Sequence, residues 1–174
     1  AVALRSKGET AAEMGGLAER EIADCVQALT RRDTALARKL IATDAQIDTL
    51  QRDIEERAIL TIARRQPMAV DLRDVVGALR VANEIERIGD LAKNIGKRVL
   101  DLSGEYPSLK LIRGVEHMGS LVLTQLKRVL DAYAARNVDE AMEVWRRDEE
   151  IDAMCVSLFR ELLTYMMEDP RNIS

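Results

Sequence analysis

The chain has 174 residues, 47% of them hydrophobic and 32% charged, a net charge of −4, 22 alanines and only five aromatic side chains. Nine glycines and three prolines supply few turn positions, which argues against a β-sandwich or barrel, and no glycine-rich loop marks a nucleotide-binding α/β domain. Charges of both signs are interspersed, so there is no basic footprint for nucleic acid, and no run of 18 apolar residues could span a membrane; the composition fits an all-α protein.

Apolar residues recur with a period near 3.6 between the prolines. A first helix is predicted over residues 3–31, with Leu17, Ile22, Cys25, Val26 and Leu29 along one side. Asp33 or Thr34 can cap a second, continuous helix to residue 65, whose apolar line includes Leu36, Leu40, Ile47, Ile54 and Ile62. After Pro67 a third helix is predicted over 71–102, stopped by Ser103-Gly104. A fourth follows Pro107 to about residue 136. Asn137 with Glu140 three residues on reads as a capping box for a fifth helix that ends before Pro170. Long helices with short connections predict an antiparallel bundle. The doublets Arg31-Arg32, Arg64-Arg65 and Arg146-Arg147 read as helix-end or solvated-face residues. Cys25 and Cys155 lie among apolar residues without metal spacing and are expected as reduced, buried thiols. The methionines Met142, Met154, Met166 and Met167 are expected to fill core space.

Sliding the chain by 104 residues brings helices four and five onto helices one and two. Leu17 meets Leu121, Ala37 meets Ala141, Asp44 meets Asp148, Ile47 meets Ile151 and Asp48 meets Asp152. The repeat unit is therefore three helices: residues 1–103 hold one copy, and 104–174 hold the first two helices of another. A third helix of the second copy would begin near residue 174, so the expectation is that these residues are part of a longer molecule.

Three pairs of acids sit four residues apart in suggestive places: Asp44/Asp48, Glu86/Asp90 and Asp148/Asp152. At that spacing both carboxylates project from one helix face, where like charges repel unless a cation lies between them. Spacing alone is weak, since thirty acids in this length give about five such pairs by chance; Glu9/Glu13, Asp101/Glu105 and Asp139/Glu143 share it. Context singles out the first three. Two are copies across the repeat, and they align with apolar residues: Glu86 with Leu79 and Ala82, Asp148 with Val144, Asp152 with Trp145, Val156 and Phe159. A carboxylate on a core-facing line needs a partner, and two kinds satisfy it. One is a hard cation such as Mg²⁺, Ca²⁺, Mn²⁺ or ferric iron. The other is an arginine within the bundle, with Arg38, Arg80, Arg87 and Arg98 as candidates. His117 is the only histidine, so a histidine-rich zinc site and the Glu-x-x-His di-iron pattern are both excluded. No Ser/His/Asp or Cys/His arrangement points to an enzyme.

Several segments resemble the PhoU family of phosphate-transport regulators: Met14-Gly15-Gly16; Arg65-Gln66-Pro67 with Asp71-Leu72-Arg73; Glu86-Arg87-Ile88-Gly89-Asp90 with Asn94-Ile95; and Leu163-Thr164-Tyr165-Met166-Met167-Glu168-Asp169. The resemblance spans essentially the whole chain. It implies tandem three-helix bundles related by pseudo-two-fold symmetry, and a multinuclear metal, iron or zinc with Mg or Mn as further options, on paired acidic motifs. The implied first site is Asp44, Asp48, Glu86 and Asp90, with Asn94 as a secondary candidate. The implied second site is Asp148 and Asp152, left incomplete in these residues, so metal there would be weak or absent. The implied role is a cytoplasmic negative regulator of the phosphate-starvation response. It would link the transporter's ATPase subunit to a sensor histidine kinase, sit peripheral to the membrane through those partners, and be open to homodimer formation. Two other readings remain on the residues alone: an iron- or other metal-handling bundle, and a metal-free structural scaffold.

Overall fold

The computed structural model describes residues 2–102 and 109–168, with side chains from Thr10 onward. All the regular structure among these residues is helical: α1 (Val2–Arg31), α2 (Thr34–Thr43), α3 (Ala45–Arg65), α4 (Ala69–Asp101), α5 (Leu109–Ala135), α6 (Val138–Arg146) and α7 (Asp148–Glu168). Ser103-Gly104, Pro107 and Pro170 lie outside the described residues.

The core of the first half follows from a three-then-four spacing of small and apolar residues. On α1 the buried line is Ala11, Met14, Ala18, Glu21, Cys25 and Ala28. On α4 it is Val75, Ala78, Ala82, Ile85, Gly89, Ala92, Gly96 and Val99. Across α2 and α3 it is Ala37, Leu40, Asp44, Ile47, Ile54 and Ala58. This is a heptad seam, which sets three helices side by side at a shallow angle. The layers are visible in the clusters: Ala28, Ala37 and Val99 form one, Cys25, Leu40 and Ala92 the next. Below them Ala18, Ile47 and Ile85 belong to the largest cluster, with Met14, Ile54 and Ala82.

α5 packs on α1, and α6 and α7 pack on α5. The α1–α5 seam has its own symmetry. A Cβ on Gly15 would meet Leu130 Cδ1 at 2.6 Å, and one on Gly119 would meet Val26 Cγ2 at 2.8 Å. The 104-residue offset maps Gly15 onto Gly119 and Val26 onto Leu130, so each contact is the two-fold copy of the other. The turns repeat as well. Arg32 and Arg136 are both left-handed, with φ of 51° and 54°. The amides of Asp33 and Asn137 reach back to the carbonyls of Ala28 and Ala132 at 3.0 and 2.8 Å, a Schellman closure without glycine. Asp33 then caps α2, accepting from the Leu36 amide at 2.9 Å.

Four expectations need correction. The second and fifth helices are not continuous: each breaks, at Asp44 and at Arg147, within one residue of the same repeat position. Asn137 accepts from the Glu140 amide at 3.1 Å, but the Glu140 carboxylate turns to Arg128 on α5 (2.6 Å) and does not complete the box. Cys155 is exposed, although Cys25 is buried as expected. Of the four methionines expected in the core, Met142 and Met167 are exposed and Met154 and Met166 only half-buried. The last two share one cause. Among the described residues α7 packs only on α5 and α6 and has no fully buried residue, with Val156 and Phe159 50% and 59% exposed and Trp145 on the neighbouring α6 70% exposed.

The glycines of α1 and α5 give a direct check on the seam. Gly16, one residue from the crowded Gly15, has open space where a Cβ would go. Gly16→Ala is expected to raise stability by about 0.5–1 kcal/mol through helix propensity alone. Gly119→Leu, driven into Val26, is expected to cost about 1–3 kcal/mol. Thermal denaturation of the two variants beside the parent chain reads both signs.

Candidate functional site

The layer between Cys25/Leu40/Ala92 and Ala18/Ile47/Ile85 is not apolar. It holds Glu21 from α1, Asp44 from the α2–α3 junction and Gly89 from α4. Glu21 is 4% exposed and Asp44 4%. Gly89 makes room for Glu21: a Cβ there would lie 3.0 Å from both Glu21 Oε2 and Ile47 Cδ1, while Asp44 Oδ1 sits at a contact distance of 3.5 Å.

Asp44 keeps helical dihedrals (φ −51°, ψ −35°), yet the helix breaks around it. Its carbonyl accepts from both Ile47 and Asp48 amides, at 3.0 and 3.4 Å. Its carboxylate does not cap α3. It goes instead to Lys93 on α4, whose Nζ donates to Oδ2 at 2.6 Å. The same ammonium donates to Asp90 Oδ1, three residues back on its own helix. Lys93 is only 18% exposed and the Asp44 side chain 6%, so this pair is largely out of water. The two carboxylates hold the ammonium protonated well above the ordinary lysine range, their hydrogen bonds outweighing its burial.

The structure thus brings Asp44, Asp48, Glu86 and Asp90 to one place, across the gap between α2–α3 and α4. Asp48 also lies 3.9 Å from Arg52 one turn on, a solvent-exposed contact of little energetic weight. Burial pushes the Glu86 carboxyl up, and the nearby Asp90 and Asp48 charges add to it. Asn94 is exposed. Asp148 and Asp152 do not share a core face: both are exposed at the start of α7, where no other element among the described residues covers them. The expected arginine partner is also corrected. Arg38, Arg80, Arg87 and Arg98 are all exposed, and the cation is Lys93.

Two residues escaped the sequence reading. Lys93 follows Glu86 by seven and Gly89 by four, which puts it on the acids' own face. Glu21 follows Met14 by seven and precedes Ala28 by seven, which puts a carboxylate on the buried line of α1. Its Oε2 has no hydrogen-bond partner among the described residues. Burial, then the charge of Asp44, raise its pKa from the ordinary 4.5 to about 7, against the lowering effect of Lys93. The repeat offers a comparison. Its position in the second half is Gln125, whose Nε2 donates to the carbonyl of Arg147 at the α6–α7 break, at 3.0 Å. An amide there serves the broken helix without a charge.

A metal is what the acidic motifs would suggest, and the fit is poor. Among the described residues no three Asp, Glu, His or Cys side chains are placed to hold one metal ion. Two of the four acids, Asp44 and Asp90 from opposite sides of the gap, are already turned to one ammonium.

The PhoU domain family model matches residues 11–99 and 115–174. The chain belongs to the PhoU family. A phosphate-specific transport system accessory protein PhoU homolog of Rhizobium meliloti (strain 1021) is 57% identical over 162 residues, covering 93% of this chain and 68% of that one. A homolog of the same description from Caulobacter vibrioides is 53% identical, over 92% of this chain and 70% of its own. PhoU from Pseudomonas aeruginosa, known from a crystal structure, superposes with a TM-score of 0.92 at 37% identity, covering 99% of this chain and 82% of that one. Both homologs are named as accessory to phosphate-specific transport.

Glu21 gives a pH dependence whose sign is fixed. Its folded pKa, about 7, lies above the ordinary 4.5, so the folded state binds its proton more tightly than the unfolded chain does. Its contribution is fully present below the unfolded value and is lost as pH rises through about 7. Glu21→Gln removes that loss. The variant is expected to exceed the parent chain by about 1–3 kcal/mol at pH 8, with the gap closing towards pH 5. Urea unfolding at the two pH values checks it.

Proposed function

We propose that this chain acts in a bacterial phosphate transport system as a negative regulator of the phosphate-starvation response. In this reading it is a cytoplasmic adaptor between the transporter's ATPase subunit and a sensor histidine kinase. When phosphate is plentiful it keeps the response off. The observation that carries the reading is its likeness, over nearly all of its described length, to proteins named as accessory to phosphate-specific transport. The build of the molecule is in keeping with it. Helices of about 30 residues extend about 45 Å, long enough to offer separate faces to two partners. None of the described helices is long and apolar enough to cross a membrane, so contact with membrane proteins would run through protein partners.

A strain lacking its native copy, grown in phosphate-rich medium, tests this through a phosphate-starvation reporter such as secreted alkaline phosphatase. Expression of the protein is expected to silence the reporter. Affinity purification from the same cells is expected to recover the kinase and the ATPase subunit together. A reporter that stays on despite normal expression, with neither partner recovered, contradicts the proposal.

A further inference from the structure

We infer that Lys93 is the resident cation of the first acidic cluster: its ammonium occupies the place between Asp44 and Asp90 that a metal would need, and makes this cluster an ion-pair lock rather than a metal centre. The motif pattern points to metal, while the geometry departs from it at one residue. Each acidic pair contributes one carboxylate to the ammonium, Asp44 from the α2–α3 junction and Asp90 from α4. They are two of the four acids gathered there, one from each side of the gap. A hard cation needs several oxygens at about 2.0–2.6 Å, and among the described residues no set of three acids converges in that way. The ammonium is not a passing surface contact. It is four-fifths buried, and it approaches Asp44, itself 6% exposed.

The lock also has a structural task that a metal would otherwise perform. Asp44 sits where the helix breaks, and its carboxylate is not used to cap α3. Lys93 therefore ties the break itself to α4. It does so one turn beyond Gly89, where α4 has no Cβ and Asp44 Oδ1 comes within 3.5 Å of that position. The setting of the α2–α3 junction against α4 is then independent of metal supply.

The test uses the full chain with the exposed second pair silenced as Asp148→Asn/Asp152→Asn. Zn²⁺ and ferric nitrilotriacetate serve separately as probes. Metal retained after gel filtration is measured by mass spectrometry, and the melting temperature is taken with and without EDTA. The chain carrying Lys93 is expected to retain no stoichiometric metal and to melt at the same temperature with or without EDTA. Lys93→Met is expected to bind Zn²⁺ about 10- to 100-fold more tightly, the range over which neighbours of metal ligands usually act. Lys93→Gln, which keeps a hydrogen-bond donor, replaces it if the methionine variant does not fold. Retention of one or more equivalents by the Lys93 chain, lost on Asp44→Asn/Asp90→Asn, overturns the inference. So does equally negligible binding with and without the lysine, since the ammonium would then not be what keeps metal out.

Discussion

The ion pair between Lys93 and Asp44 holds together the one layer of the first bundle that apolar packing does not. Above and below it the seam is alanine, leucine, isoleucine and cysteine, and burial suffices. Within it two carboxylates face a glycine, and one of them stands at a broken helix. Burying an uncompensated charge costs several kcal/mol, and breaking such a pair usually costs about 3–5 kcal/mol. The pair is therefore better seen as fixing one arrangement than as adding net stability. A polar residue at a single seam position fixes register in coiled coils at some expense in stability. Glu21 and Asp44 meet opposite Gly89, where a Cβ would crowd Glu21 Oε2 at 3.0 Å.

The two halves solve the same problem differently. Both break the helix within one residue of the same repeat position, and both close the preceding turn with a left-handed arginine. At the break the first half places a carboxylate, Glu21, and the second an amide, Gln125. The glycine pair on the α1–α5 seam shows that the two-fold relation is one of packing as well as sequence. The halves diverge where charge enters: the first is closed around an ammonium, while the acids of the second lie in solvent.

Much of this was legible in the residues. Period and punctuation placed the helices, Asp33 announced its cap, and the offset of Asp44 and Ile47 to Asp148 and Ile151 revealed the repeat. The breaks at Asp44 and Arg147 were not legible, because the apolar period runs through them unbroken and Asp44 itself stays helical. The exposure of Asp152, Cys155 and Phe159 was not legible either: a core-like stripe on α7 says what the helix could bury, not what lies against it. Glu21 and Lys93 were within reach. The reasoning that marked Glu86 as an acid on an apolar line applies equally to Glu21, and a lysine three residues after Asp90 is as good a candidate partner as any arginine.

The most direct measurement is a double-mutant cycle on Lys93→Met and Asp44→Asn, followed by urea unfolding at neutral pH. If the ammonium and this carboxylate hold the layer together, the cycle gives a coupling of about 1–3 kcal/mol, with the double variant less destabilised than the sum of the singles. A coupling indistinguishable from zero would contradict the account, because Lys93 and Asp44 would then be neighbours without being partners.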